Sequence, residues 1–161
     1  MSERTIEKIQ LQTKLWGRVY RLLFMIYSTV LFWELFLGRY RSHGGVRRYN
    51  LIPLKTMTLY IENYKRFGAS IILINLAGNV LAFMPLGFLL PLVYKQADRL
   101  MVITGITLLT SISAEVCQLI FNVGGLDIDD VLLNTLGGVL GYLCYRFSAR
   151  CLKEVKTWQR R

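Results

Sequence analysis

Four long apolar segments are the feature that most limits what this chain can fold into. A helix needs about 20 apolar residues to cross the hydrocarbon core of a bilayer, with about 17 to 25 as the usual range. In lipid every backbone donor and acceptor must be paired within the protein, so the segments should be helices and not lone strands. A soluble helical bundle is the alternative, but soluble helices of this length carry a polar face. The segments are residues 19–37, 71–94, 100–121 and 131–147.

The sequence therefore predicts an all-α fold, a polytopic membrane bundle of four transmembrane helices. The length suits one domain, and we expect residues 1–161 to form a single membrane domain. Residues 1–18 are expected to form a tail with a short helix on the inner membrane surface, and residues 148–161 a basic cytoplasmic tail. No small-residue cleavage site ends the first segment, so we expect it to remain as a span.

Basic residues outside the apolar segments predict the orientation of the bundle. The net charge is +10, and most of the 20 lysines and arginines lie in the two tails and in the turn between the second and third segments. With four crossings these parts share one side, which the positive-inside rule makes cytoplasmic. We therefore expect a multi-pass plasma-membrane protein with both termini in the cytoplasm. Basic tails beside apolar spans favour membrane lipids as partners over nucleic acid.

The loop between the first two segments is predicted to carry an amphipathic helix over residues 54–67. Apolar residues recur there at helical spacing, charged residues fall between them, and Gly68 suits a helix stop. Such a helix would rest at the outer membrane interface, and an amphipathic tether is the alternative. The apolar positions are Leu54, Met57, Ile61, Tyr64 and Phe67.

Polar residues inside the apolar segments are predicted to meet at the outer end of the bundle. Asn79 and Glu115 lie roughly 12 and 9 Å below the outer ends of their helices, from the rise of about 1.5 Å per residue. On each helix the polar residues recur at steps of three or four, which places them on one face. A carboxylate that faced lipid would cost about 2.5–3.5 kcal/mol or more, so these faces should point into the bundle. They comprise Asn75 and Asn79; Thr104, Thr107, Ser111, Glu115, Gln118 and Asn122; and Asp127, Asp130 and Asn134.

Gly137 and Gly141 form a GxxxG pair, which lets a second helix approach closely in the inner half of the bundle. A tightly packed inner half below a polar outer half predicts a crevice that opens outward. The candidate ligand-binding residues of this crevice are Asn79, Glu115, Gln118, Asp127, Asp130 and Asn134.

Glu115 has the strongest functional expectation, since an ionisable residue inside a membrane is usually functional. No basic residue lies near its depth, so its carboxyl must be protonated, hydrated in the crevice, or paired with an outer-loop arginine or a ligand amine. The amide and hydroxyl groups have an alternative role that is purely structural. They would form hydrogen bonds between helices, each of which stabilises the bundle by about 0.6 kcal/mol.

The aspartates have alternatives of their own. Asp127 can cap the fourth helix, with Asp129 and Asp130 enriching its first turn. Their oxygens would also suit Mg²⁺ or Ca²⁺, but the spacing does not match an EF-hand loop. We therefore expect no metal and no other cofactor.

Four stretches of the sequence resemble the VanZ-like family of bacterial membrane proteins. They read NVLAFMPLGFLLP, SAEVCQLIF, GLDIDDVLLNTLGGVLGY and, more weakly, YNLIPL. The resemblance implies a bacterial plasma-membrane protein that reduces the action of lipidated, teicoplanin-type glycopeptides on the cell envelope, and it supplies no catalytic roles. Many members carry an arginine shortly before the first aspartate, where this chain has Gly124, Gly125 and Leu126. The matching positions are Asn79, Phe83, Pro85, Gly87, Pro91, Glu115, Gln118, Asp127, Asp130, Asn134, Gly137 and Gly141.

Three classes of function remain open at this point. In a binding protein, the crevice would take a polar or cationic group of a lipoglycopeptide or a cell-wall lipid precursor. The basic outer loop favours an anionic headgroup such as a pyrophosphate, whereas the carboxylates favour an amine.

An intramembrane enzyme that modifies an envelope lipid would use Glu115 as acid or base with Asp127 or Asp130, although no established catalytic signature is present. A transporter would need a homodimer, because four helices are few for alternating access, although helices broken near Pro85 and Pro91 are of the kind that transporters use.

Overall fold

The computed structural model describes residues 3–37 and 49–158, most of which are helical. Predictions about residues 1–2, about residues 38–48, which include arginines of the outer loop, and about residues 159–161 lie outside this range. The elements are α1 (Glu3–Phe36), β1 (Tyr49–Asn50), α2 (Lys55–Glu62), α3 (Tyr64–Val93), a 3₁₀ turn (Lys95–Ala97), α4 (Leu100–Phe121), β2 (Leu126–Asp127) and α5 (Ile128–Trp158).

The helices confirm a helical fold with membrane character, but three of them and not four meet the requirements of a span. Within the described residues, Gln10–Phe36, Tyr64–Val93 and Leu100–Phe121 are long and apolar enough to cross a membrane. The fourth predicted segment, 131–147, lies in α5, which is not among them. Asn134, Gly137, Gly138 and Arg146 lower the mean hydropathy of this segment. A fourth span therefore stays a prediction.

The predicted tails are largely helical extensions of the first and last helices. α1 begins at Glu3 and runs unbroken into the first apolar segment, so residues 3–18 do not form a separate surface helix. α5 likewise continues beyond residue 147 as far as Trp158. Neither junction contains a proline, the residue that ends a helix most strongly.

The amphipathic helix predicted over residues 54–67 is divided in the structure. α2 ends at Glu62, and the residues after Asn63 form the first turn of α3, which kinks at Gly68. Gly68 has φ 76° and ψ 153°, a conformation that L side chains rarely adopt, so the kink requires glycine.

The predicted apolar face of this segment is only partly the buried one. Leu54, Ile61 and Tyr64 are exposed, whereas Met57 and Tyr60 are half-buried. Residue spacing shows which apolar side chains share a face of a helix. It does not show whether protein or lipid covers that face.

α3 and α5 lie side by side and run in the same direction, because α4 reverses the chain between them. A Cβ at Gly137 would lie 2.2 Å from the carbonyl oxygen of Val80, and one at Gly141 would lie 1.9 Å from that of Met84. Both distances are shorter than any real contact. The two backbones therefore touch, as the GxxxG spacing predicts.

α1 packs on a different face of α3. The Tyr27 hydroxyl donates a hydrogen bond of 2.8 Å to the carbonyl oxygen of Ala82, and Leu31 forms a core cluster with Phe83 and Leu86. α3 continues without a break through its two internal prolines, so the broken helix considered for a transporter is not found at Pro85 or Pro91.

The turn between α3 and α4 is tied to α5 by Asp98. Its carboxylate accepts hydrogen bonds from the hydroxyls of Tyr142 (3.1 Å) and Tyr145 (3.4 Å) and from the Arg146 guanidinium (3.3 Å). The three donors lie within two turns of α5, so this end of the bundle is held together by polar contacts that the sequence analysis missed.

Candidate functional site

Polar side chains from three helices come together where α4 ends and α5 begins. Glu115, Gln118 and Asn134 are buried, with 3%, 0% and 2% of their surface exposed. The other members are half-buried. We call this set the polar cluster: Asn79 of α3, Glu115 and Gln118 of α4, Asp127 of β2, and Asp130 and Asn134 of the first two turns of α5.

Asp127 is the central hydrogen-bonding residue of the cluster. Its backbone N–H donates to Glu115 Oε2 at 2.9 Å. Its Oδ1 accepts hydrogen bonds from the Asp129 backbone N–H (2.9 Å) and from Asn50 Nδ2 (3.1 Å), and its Oδ2 accepts one from Thr56 Oγ1 (2.6 Å). Asp127 therefore caps α5 and also holds the segment that leads into α2 and forms its first turn.

That segment, residues 49–57, lies against the polar cluster, and we call it the strap. Tyr49 and Asn50 pair in parallel with Leu126 and Asp127. Asn50 Nδ2 also donates to Thr56 Oγ1 at 3.1 Å. The strap contains the YNLIPL stretch, so this part of the sequence motif packs on the start of α5.

Asp129 joins the strap to α5 from a second direction. Its carboxylate, in a side chain that is 1% exposed, accepts hydrogen bonds from the backbone N–H groups of Leu54, Thr56 (2.8 Å) and Met57 (3.4 Å). Leu54 is the N-cap residue of α2, has φ 65° and supplies no side-chain cap. A helix N-terminus stabilises negative charge, so Asp129 caps α2 from another part of the chain.

The sequence analysis assigned Asp129 only to the first turn of α5 and did not find this role. One signal was available. α2 begins after a leucine and not after one of the residues that usually cap helices, so its first N–H groups needed a partner from elsewhere.

The remaining members of the cluster make contacts deeper between the helices. Asn79 Nδ2 donates to Asp130 Oδ1, which links α3 to α5. Asn134 Nδ2 donates to Ser111 Oγ at 2.8 Å, and Gln118 Nε2 donates to the backbone oxygen of Leu35 at 3.0 Å. The cluster thus also reaches α1.

Several polar residues that we expected on the interior faces are placed differently. Asn75 is exposed, and its amide donates to the Ile71 oxygen of its own helix at 2.8 Å. Thr104 similarly bonds to Leu100 within α4. The buried polar stripe of α4 therefore consists of Thr107, Ser111, Glu115 and Gln118.

Three buried polar atoms of the described residues have no hydrogen-bond partner: Thr107 Oγ1, Gln118 Oε1 and Asn134 Oδ1. A buried polar atom without a hydrogen-bond partner is costly, so such atoms are uncommon in folded proteins. Two of the three are amide oxygens of the polar cluster.

Tyr60 of α2 brings a phenol close to the cluster. Burial raises its pKa, and the negative charges of Asp130 and Asp127 raise it further. The phenol therefore stays neutral beside these carboxylates. The sequence analysis did not single out Tyr60.

Within the described residues, no group of three or more histidine, cysteine, aspartate and glutamate side chains could hold a metal ion. The aspartate oxygens bind protein donors instead.

Comparison with known proteins gives two matches. The sequence profile of the VanZ/LLP1 family matches residues 18–149, which include the whole polar cluster and strap. Protein VanZ from Enterococcus faecium is 31% identical over 109 residues, which cover 68% of this chain and 67% of that protein. No solved structure matches the chain.

Proposed function

The chain belongs to the VanZ/LLP1 family, and on this premise we propose that it contributes to glycopeptide resistance by reducing the binding of teicoplanin-type antibiotics at the bacterial cell envelope. The polar cluster would bind a polar group of an envelope ligand. The apolar helix surfaces beside it would contact the acyl chain of that ligand.

The burial of the polar cluster is the observation that carries this proposal. Glu115 and Asp130 come from different helices, and both lie at the end of the bundle where α4 meets α5. Carboxyl groups in such a place are expensive and are usually kept for function. Exposed apolar side chains, such as Phe32 and Trp33 of α1 and Phe121 of α4, lie on the helix ends that reach the cluster.

We also propose that α5 is a fourth span. Its glycines contact the backbone of α3 at Val80 and Met84, so residues 131–147 lie alongside a helix that is apolar enough to cross the membrane. A helix packed this closely shares the depth of its neighbour.

The orientation follows from the charges at the two ends of the bundle. Lys95, Arg99, Arg146 and Arg150 lie at the end that carries the α3–α4 turn, away from the polar cluster. By the positive-inside rule this end faces the cytoplasm. The polar cluster and the strap then face the cell exterior, and both termini are cytoplasmic.

Among the residues that the structure describes, no contact specifically favours the enzyme alternative. Glu115 Oε2 accepts a hydrogen bond from Asp127 N–H, and both carboxylate oxygens of Asp127 accept hydrogen bonds from Asn50, Thr56 or Asp129. These contacts hold the two carboxyl groups in place, which agrees with the proposed binding role and gives no support to proton transfer.

The test compares susceptible Gram-positive cells that express the chain with matched cells that do not. We expect lower binding of fluorescent teicoplanin and higher survival in teicoplanin, with little change for vancomycin, a glycopeptide without an acyl chain. Equal teicoplanin binding in the two strains would refute the proposal. A covalent difference between their envelope lipids would instead favour an enzyme.

A further inference from the structure

The end of the bundle that carries the α3–α4 turn contains an open cavity with a cationic wall. Its volume is about 640 Å³, which is within the range of about 300–1,000 Å³ that ligand sites usually have. This end lies away from the polar cluster, so a ligand here would be separate from the function proposed above. The cavity is lined by Asp98, Tyr142, Leu143, Arg146, Phe147 and Arg150.

One face of α5 supplies two kinds of surface to the cavity. Leu143, Arg146, Phe147 and Arg150 follow one another at steps that place them on the same side of the helix, and all four side chains are exposed. Gly141, two residues before Leu143, contacts the backbone of α3, which is one of the three candidate spans. The apolar side chains therefore begin beside the membrane, and the arginines continue toward the end of the bundle.

Asp98 orients one of these arginines and leaves most of its donors unused. Both hydrogen bonds from Arg146 to the Asp98 carboxylate come from Nη1, at 3.3 and 3.5 Å. A guanidinium has five N–H donors on three nitrogens, so this contact does not use Nε or Nη2. The Arg146 side chain is 44% exposed, which leaves these nitrogens accessible to an acceptor outside the protein.

The charge around the cavity is positive in spite of Asp98. This carboxylate is already occupied by two tyrosine hydroxyls and by Arg146. Lys95 and Arg99 flank it in the turn, and both are exposed. With Arg146 and Arg150, four cationic side chains accompany one acid, so this surface attracts an anion.

We propose that this cavity binds an anionic phospholipid through its phosphate. Arg146 and Arg150 would donate to the phosphate oxygens, since the planar guanidinium group matches the geometry of a phosphate. Leu143 and Phe147 would contact the glycerol and the first part of the acyl chains. A free phosphate or an acidic peptide would leave these exposed apolar side chains uncovered, whereas a phospholipid matches both surfaces of the cavity. Basic pockets beside membrane helices bind lipid headgroups in this way.

The test measures lipid binding to the detergent-solubilised full-length protein by native mass spectrometry. Phosphatidylglycerol and phosphatidylcholine with the same acyl chains form a matched pair, because both contain a phosphate but only the former has a net charge. We expect phosphatidylglycerol to bind at least about fivefold more tightly, which corresponds to the usual contribution of one lysine or arginine near an anionic membrane surface. Equal binding of the two lipids would overturn the proposal.

Substitutions assign the preference to the cavity. Arg150→Gln should weaken the binding of phosphatidylglycerol about fivefold, and the addition of Arg146→Gln should abolish the preference. Arg66→Gln is the matched control and should retain the preference, because Arg66 is an exposed arginine in the first turn of α3, at the other end of the bundle. Equal losses for Arg150→Gln and Arg66→Gln would indicate a general effect of charge and overturn the assignment. If the double variant fails to fold, Arg150→Gln alone decides, since Arg150 is not one of the donors that hold Asp98.

A second arm separates a lipid from a free phosphate ester. Glycerol 1-phosphate has the same phosphate chemistry but no acyl chains, so a large excess of it should not displace bound phosphatidylglycerol. Phe147→Ser should weaken the binding of both lipids by a similar factor, because Phe147 would contact the parts that they share. Displacement by glycerol 1-phosphate, or unchanged lipid binding by Phe147→Ser, would overturn the assignment to a phospholipid. None of these measurements involves the polar cluster, so this inference and the proposed function can fail separately.

Discussion

Asp129 accepts a hydrogen bond of 2.8 Å from the backbone N–H of Thr56, a residue 73 positions earlier in the chain. With the N–H groups of Leu54 and Met57, this contact places a buried carboxylate at the start of α2. A helix that no local side chain caps is thus stabilised by a residue of another helix. The strap is thereby held over the polar cluster.

Removal of this cap should destabilise the strap. We expect Asp129→Ala to lower the free energy of unfolding by about 1–3 kcal/mol, because it leaves the N–H groups of Leu54, Thr56 and Met57 without their carboxylate acceptor. Thermal unfolding in detergent micelles measures the loss, and amide hydrogen exchange should rise at residues 54–57. Glu62→Gln is the control, since Glu62 is an exposed acid at the other end of α2. Equal effects of the two substitutions would contradict the capping role.

The contact between α3 and α5 should not tolerate a methyl group. Gly137→Ala would place its Cβ 2.2 Å from the Val80 oxygen, so the helices must move apart. We expect a loss of about 1–3 kcal/mol, the usual cost of overpacking. Gly105→Ala is the matched control, because no atom beyond its own stretch of helix backbone lies within 4 Å of a Cβ at Gly105. Similar melting temperatures for both variants would show that α3 and α5 are not in backbone contact.

Tyr60 should make the protein sensitive to alkaline pH. Burial and the nearby Asp130 and Asp127 raise its pKa above the ordinary value near 10. A raised folded-state pKa adds stability that is fully present below the unfolded pKa and is lost as the pH rises above about 10. Tyr60→Phe should therefore flatten the decline of melting temperature above this pH. An unchanged alkaline decline would show that Tyr60 is not buried beside the carboxylates.

The proposed orientation can be tested with cysteines introduced at the two ends of the bundle. In a background where Cys117, Cys144 and Cys151 are replaced by serine, Glu62→Cys should react with a membrane-impermeant maleimide on intact cells. Gln96→Cys, in the turn between α3 and α4, should react only after permeabilisation. The reverse pattern would place the polar cluster at the cytoplasmic face.

Some parts of the fold were predictable because they follow from local patterns. The length of the apolar segments predicts helices, and the spacing of Gly137 and Gly141 predicts a close helix contact. The steps of three and four residues that carry Glu115 and Gln118 predict a shared buried face on α4. Each of these patterns repeats along a single helix, so it can be read without knowledge of the helix's neighbours.

Other parts depend on contacts between distant residues and leave no periodic pattern. Asp129 lies off the polar stripe of α5, and its partners are backbone groups of α2, so no side-chain motif marks the pair. Asp98 lies in a short turn, and its partners are tyrosines and an arginine two helices later. The buried side of α2 follows from the first of these contacts, so residue spacing alone could not place it.

The most direct test of the account is the binding of fluorescent teicoplanin to cells that express the Glu115→Gln variant. If the buried carboxyl of the polar cluster carries the function, these cells should bind as much antibiotic as cells without the protein. The exposed-amide control Asn75→Leu should bind as little as the unsubstituted chain. Low teicoplanin binding by Glu115→Gln cells, at equal amounts of protein in the membrane, would contradict the account.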